Sequence, residues 1–272
     1  MSEPIRLLVC DIDGTFVRHD KSLSDAVRAA GLRLVAAGVA LSFISSRPPS
    51  GMRWLAEIFA IPGPLAAFNG GTLFRPDGGI VSAWRVPEAV GASVLPLASG
   101  PKLSLWAFAR GQWFVTNPGN PHVVRERIAS RQEPVVRTDF SDLLPVIDKI
   151  VIVSGDGAAL DAVEAAVEAV VAGQATITRS QPYYLDITHR RANKGDGVAA
   201  LAEAIGVPLG ATAVIGDMTN DMAMFARAGL SIAMGQAPEA VRAAADHVTT
   251  SNEEDGVARA IDTIILPRAF RL

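Results

Sequence analysis

The chain has a single cysteine, Cys10, among 272 residues. That scarcity excludes an internal disulfide and a Cys-rich zinc site, and it fits a reducing compartment. Its four histidines, His19, His122, His189 and His247, are scattered, with no pair at helical spacing to hold zinc. Nowhere do about 18 apolar residues run uninterrupted, so no membrane-spanning helix is expected. The apolar run at residues 5–10 is shorter than a signal-peptide core and meets Asp11 and Asp13 at once, so the chain reads as cytoplasmic. Positive charge is not in excess either. Against 28 Asp and Glu stand 25 Lys and Arg, a net charge of −3, which offers no field for nucleic acid or an anionic membrane surface.

What is present is globular material: 49% hydrophobic and 19% charged residues, a composition outside the disordered and collagen-like classes. The length suits one large domain or two modest ones, and no internal repeat or low-complexity tract interrupts it. Short β-branched runs alternate with Ala-rich amphipathic stretches, as parallel strands joined by crossover helices do. A strand is expected over residues 6–10, a helix from Ser24 as N-cap to residue 37, where Gly38 ends it, and a strand over 39–44. A helix over 51–60 and a strand over 65–68 follow, then turn-rich N-G-G and P-D-G-G segments. From about residue 80 to 186 the rhythm changes. Strands come in neighbouring pairs, 102–108 with 112–116 and 176–179 with 183–187, which predicts an antiparallel sheet. Between the pairs a helix over 158–171 carries Leu160, Val163, Val167 and Val170 on one stripe. The α/β rhythm then resumes with helices at 195–205, 220–228 and 256–265 and strands at 211–215 and 230–233. The expected fold is therefore α/β: a doubly wound, mostly parallel sheet from residues 1–80 and 187–272, with an inserted α+β domain at 81–186.

The chemistry gathers at strand ends. D-I-D-G-T, residues 11–15, follows the first strand directly. Alternate residues of a strand point the same way, so Asp11 and Asp13 are expected to converge beyond its carboxyl end while Gly14 lets the chain turn. In an open α/β sheet that edge binds ligands. A second cluster, G-D-M-T-N-D, follows the strand at 211–215 and places Asp217 at its end, with Asn220 and Asp221 in the first helical turn. Clustered carboxylates at one sheet edge suit Mg²⁺. I-S-S-R, residues 44–47, ends the second strand with hydroxyls and N–H groups able to hold phosphate oxygens. Lys194 in N-K-G supplies a counter-charge that an anionic site needs.

Together, in this order, the four elements resemble the haloacid dehalogenase-like (HAD) hydrolase superfamily, whose pattern is D-x-D-G-T, a Ser/Thr after the second strand, a Lys, and G-D-x-x-N-D. The placement of the insert resembles the Cof-type subgroup, subclass IIB, with a large α/β cap. N-G-G at residues 69–71 and N-x-x-D-G-V-A at 252–258 resemble further Cof-type features, while S-S-R replaces the usual T-G-R. The resemblance implies a Mg²⁺-dependent phosphatase acting on a small phosphorylated metabolite, a sugar phosphate or a phosphorylated cofactor, with a cap domain closing over it. It implies Asp11 as the nucleophile that becomes an aspartyl-phosphate and Asp13 as general acid and base. Ser45, Ser46, Lys194 and Asn220 are implied as phosphate-binding residues. The implied metal ligands are Asp11, Asp217, Asp221 and, through its main-chain carbonyl, Asp13. Partial burial and a neighbouring carboxylate are expected to raise the Asp13 pKa. A sugar-phosphate mutase of the same superfamily and a non-enzymatic phosphometabolite-binding regulator are the alternatives. Cation-pumping ATPases, which share this core, carry Thr in place of Asp13 and need membrane helices.

Other signals carry less. Residues 195–200, G-D-G-V-A-A, match the G-x-G-x-x-A dinucleotide fingerprint, but R-R-A-N-K separates them from the preceding strand, whereas the fingerprint must sit on a strand end. Cys10 adjoins Asp11 yet is expected to face the core. His19 and His189 stay outside the assigned site, and Trp84, Trp106, Trp113, Tyr183 and Tyr184 are expected chiefly to pack the core or cap.

Overall fold

Five buried residues in succession, Leu-Leu-Val-Cys-Asp, make β1 (Leu7–Asp11), the continuous burial that a parallel strand covered on both faces requires. The computed structural model describes residues 3–269, which divide into two units. The first unit comprises the chain up to Ser45, Met52–Val81, and the chain from Asn193 onward; the second comprises Ser46–Gly51 and Ser82–Ala192.

In chain order, β1 leads to helix α1 (Asp25–Ala36), which starts where the Ser24 hydroxyl accepts the Val27 N–H, the capping that its sequence predicts. Strand β2 (Ala40–Ile44), helix α2 (Arg53–Ile58) and strands β3 (Leu65–Ala67), β4 (Thr72–Phe74) and β5 (Ile80–Ala83) follow. The second unit carries α3 (Glu88–Val94), β6 (Ser104–Ala109), β7 (Gln112–Val115), α4 (Val123–Ser130), β8 (Val135–Val136), β9 (Ile147–Val153), α5 (Gly157–Val171), β10 (Ala175–Gln181) and β11 (Tyr184–His189). The chain then adds α6 (Lys194–Ile205), β12 (Thr212–Gly216), α7 (Met222–Phe225), β13 (Leu230–Ala233), α8 (Glu239–Ala243), β14 (His247–Val248) and α9 (Gly256–Ala260).

Eight strands form the larger sheet in the order β14-β13-β12-β1-β2-β3-β4-β5. From β14 to β3 every pairing is parallel, and β4 turns back antiparallel on β3. One face packs Leu7, Val9, Val214 and Ile44 against Val198 and Leu201 of α6 and Met224 of α7. Elsewhere in this unit the ring of Phe16 meets those of Phe43 and Phe59 edge to face, with centres 4.7 Å and 5.5 Å away, a geometry that aromatic quadrupoles favour. The sheet is parallel-dominated and α/β, as expected. Its order sets the site: β1 lies between β12 and β2, with Cys10 opposite Ile215 and Asp11 opposite Ile44. The three strands therefore release Asp11, Asp217 and Ser45 side by side at one edge.

The second unit holds six strands in the order β10-β11-β9-β6-β7-β8. The β6–β7 and β10–β11 pairs are antiparallel, at the places where paired strands are expected. Strand β9 has no counterpart in the sequence expectation, yet it is central, pairing with β11 on one side and β6 on the other. Its partners lie 30 or more residues away along much of its length, and no turn signal announces such pairing. One face of this sheet packs Leu105, Ile150, Ile152 and Leu185 with Leu160, Val163 and Val167 of α5. Two expected helices divide differently in the fold. Residues 220–228 give a 3₁₀ turn and then the short α7, and 256–265 give α9 followed by a π-helical turn at Ile261–Ile265.

Candidate active site

Asp11 is the last residue of β1, and its carboxylate is buried together with those of Asp217 and Asp221. One oxygen from each lies within 4.8 Å of the others. Lys194, the first residue of α6 and only 2% exposed, donates its Nζ to Asp11 Oδ1 at 2.5 Å and to Asp221 Oδ1 at 2.6 Å. Helix α6 is aimed by its cap: the Asn193 side chain accepts the Asp196 N–H, so the helix opens at Lys194.

The second oxygen of Asp221 accepts the main-chain N–H groups of Asp217 and Met218, both at 2.8 Å. Asp221 therefore folds its own loop back onto the end of β12. Only glycine fits beneath it, because a Cβ on Gly216 would lie 2.4 Å from the Asp221 Cγ. Asp217 Oδ1 accepts the Thr15 hydroxyl at 2.9 Å. Gly14, at φ +80°, passes so close that a Cβ would meet Asp217 Oδ2 at 2.4 Å, and the Gly14 carbonyl accepts Gln236 Nε2 at 2.6 Å.

The electrostatics follow from this crowding. Burial raises the Asp11 carboxyl well above its usual range; Lys194 opposes the rise, while Asp221 and Asp217 add to it. Burial, then Asp221, pushes Asp217 up to about 6, against the Thr15 hydrogen bond. Burial disfavours the Lys194 ammonium, yet Asp11 and Asp221 hold its pKa above the ordinary lysine value. With all groups ionised, three carboxylates face one ammonium, which leaves two negative charges out of water. An oxygen-only donor set with that residual charge fits a hard divalent cation such as Mg²⁺.

Asp13 stands outside this triad. Strand β1 ends at Asp11, so the alternation that would align the two side chains stops there, and the Asp13 side chain instead pairs with Lys21, Oδ1 to Nζ 2.6 Å. Ser45 is buried at the end of β2; its N–H donates to the Ala66 carbonyl and its own carbonyl accepts the Asn69 N–H. Ser46 belongs to the second unit, where its carbonyl accepts Lys149 Nζ at 3.4 Å. Asn220 Nδ2 donates to Asn69 Oδ1 at 3.4 Å. Asp11, Asp13, Ser45, Lys194, Asp217, Asn220 and Asp221 all lie in the first unit.

Lys21, Gln236 and the placement of Asn69 escape a reading of the residues alone. Lys21 is a lone lysine eight residues after Asp13 and Gln236 a lone glutamine; neither has a local signal. Gly195 and Gly197 begin α6 after its Asn193 cap rather than continuing a strand, so the dinucleotide pattern is a helix start. There Gly195 lets the carbonyl of Ala223 approach to within 2.6 Å of where a Cβ would be. Cys10 is fully buried, and burial, followed by Asp11, raises its thiol well above the usual range, which removes it as a nucleophile.

Residues 8–261 match the family model described as haloacid dehalogenase-like hydrolase. The chain is 27% identical over 260 residues to the 5-amino-6-(5-phospho-D-ribitylamino)uracil phosphatase of Bacillus subtilis (strain 168), covering 94% of each protein. It is 28% identical over 247 residues to the HMP-PP phosphatase of Cronobacter sakazakii, covering 89% of each. Among solved structures, a haloacid dehalogenase-like hydrolase from Bacteroides thetaiotaomicron superposes with a TM-score of 0.88 at 30% identity, over 96% of this chain and 99% of that one.

Proposed function

Since the chain belongs to the haloacid dehalogenase-like hydrolase family, as a Cof-type phosphoric monoester hydrolase, we propose that it hydrolyses a small phosphomonoester, a sugar phosphate or a phosphorylated cofactor, through an aspartyl-phosphate at Asp11. The observation that carries this reading is the buried Asp11 carboxylate, held by Lys194 at the carboxyl end of β1 beside Asp217 and Asp221. The names of its relatives support the class, since the B. subtilis and C. sakazakii proteins are named phosphatases of phosphorylated small molecules.

In the proposed reaction one oxygen of Asp11 attacks phosphorus in line, a P–O bond to Asp11 forms, and the bond to the leaving alkoxide breaks. Asp13 gives the alkoxide its proton and then, as carboxylate, takes one from the water that attacks phosphorus, releasing orthophosphate and Asp11. Lys21, 2.6 Å from Asp13, orients that carboxyl. Ser45, Lys194 and Asn220 bind the phosphoryl oxygens and stabilise charge that grows there. Asp11, Asp217 and Asp221 would hold Mg²⁺ with the Asp13 carbonyl, and the ion supplies neutralisation of the phosphate charge. Segment 81–186 is proposed as the cap domain that excludes water during turnover. The partner is a small phosphorylated metabolite rather than nucleic acid, and the protein is proposed to work in the cytoplasm.

Asp11→Asn tests the covalent route. The variant is expected to fold, because it removes one of three crowded carboxylates, and to lose p-nitrophenyl phosphate turnover by at least about 10³-fold. A variant that kept wild-type turnover would eliminate Asp11 as the nucleophile.

A further inference from the structure

Phe68, Asn69 and Gly70 are three consecutive left-handed residues, with φ of 51°, 57° and 92°. Glycine takes such angles freely and asparagine tolerates them, but for a bulky residue like Phe68 the conformation is an outlier. Strain of this kind persists only where the surroundings over-determine the backbone, and it concentrates at functional sites. The surroundings here are the proposed phosphate site itself. The Asn69 N–H donates to the Ser45 carbonyl at 2.8 Å. Gly70 lies against the first turn of α6, where a Cβ would come within 2.7 Å of the Gly197 Cα and 2.9 Å of the Asn193 carbonyl. The loop is thus clamped between the end of β2, which carries Ser45, and the helix that begins with Lys194.

The clamp presents one side chain. Asn69 is only 8% exposed, and its Oδ1 accepts Nδ2 of Asn220 at 3.4 Å. Its own Nδ2, with two N–H groups, bonds no protein acceptor among the described residues. That donor pair keeps contact with solvent rather than being sealed in the core, so a ligand bringing acceptor oxygens can meet it. Ser45 and Asn220, to which Asn69 is bonded, carry donors as well, and a phosphoryl group, rich in acceptor oxygens, matches them.

We propose that the Asn69 carboxamide donates to the transferring phosphoryl group, as a substrate-contacting residue beyond the four phosphate-binding positions above. This rests on the phosphatase reading. Asn69→Gly removes the carboxamide while keeping a residue that accepts the left-handed backbone, and Asn69→Asp keeps size and backbone tolerance while replacing the donor with a carboxylate. The Gly variant is expected to keep the wild-type Tm but lose about a hundredfold in kcat/KM on p-nitrophenyl phosphate, with a comparable rise in the inhibition constant of orthovanadate. The Asp variant is expected to lose more, by repulsion. If wild-type protein is active and Asn69→Gly matches it in both kcat/KM and vanadate inhibition, the proposal is overturned and the phosphatase reading stands. If Asn69→Gly does not fold, Asn69→Asp carries the comparison, and wild-type values there overturn the proposal. If wild-type protein neither turns over phosphomonoesters nor binds orthovanadate by calorimetry in the presence of Mg²⁺, both readings fall.

Discussion

Lys194→Met takes an ammonium out of a cluster of buried carboxylates. The side chain is 2% exposed and is bonded at 2.5 Å to Asp11 and 2.6 Å to Asp221. Removing one partner from a buried ion pair costs about 3–5 kcal/mol, because the charges left behind are neither solvated nor paired. In a chain of this length that lowers Tm by about 10 °C. The sign of the pH dependence separates this cause from lost packing. Without Lys194, burial and mutual repulsion drive the folded-state carboxyl pKa values further above the unfolded value of 3.8, so the folded state holds protons that the unfolded chain has released. Stability of the variant therefore falls as pH rises above about 4, and the deficit against wild type is largest near pH 8 and shrinks towards pH 5. Mg²⁺ is expected to recover part of the loss, since it restores positive charge to the same oxygens. Urea unfolding followed by circular dichroism, at the two pH values with and without Mg²⁺, measures all of this. A deficit equal at both pH values and indifferent to Mg²⁺ would refute the electrostatic account.

Two further outcomes are expected. EDTA is expected to stop turnover and added Mg²⁺ to restore it, and rates that ignore the chelator would remove the metal assignment at Asp11, Asp217 and Asp221. In the second unit, burial raises Asp148 to about 6, with Arg85 opposing at 3.8 Å. A carboxyl raised in this way penalises the folded state above its folded pKa and costs nothing below the unfolded one, so Asp148→Asn is expected to stabilise by up to about 3 kcal/mol near pH 8. The gain fades as pH falls through 6 towards 4, and thermal melts showing a gain that does not change with pH would contradict the burial argument.

The legible parts of the fold are those written in neighbouring residues. Ser24 announces the start of α1 because a cap acts on an N–H three residues away, and Gly38 marks its end for an equally local reason. Strands β1, β2, β12 and β13 show as compact apolar runs, since burial on both faces leaves no polar alternation to confuse. Strand β9 does not show, because its defining contacts are with β6 and β11, remote in sequence. The site divides in the same way. Asp11, Asp217 and Asp221 are legible because each follows a strand or opens a turn within a recognisable motif. The Lys21–Asp13 pair depends on how the loop after Gly14 returns, and the Gln236 bond to the Gly14 carbonyl spans 222 residues.

By itself the amino-acid order determined the alternating α/β rhythm and the acidic groups placed just past strand ends, because these are properties of spacing and composition. Only the tertiary structure decided that β12, β1 and β2 are neighbours, that Lys194 enters between Asp11 and Asp221, that Asp13 turns to Lys21, and that Asn69 is clamped beside Ser45. Those facts arise when burial removes water from charges and backbones that are far apart along the chain, and a local pattern carries no record of which distant group will replace it.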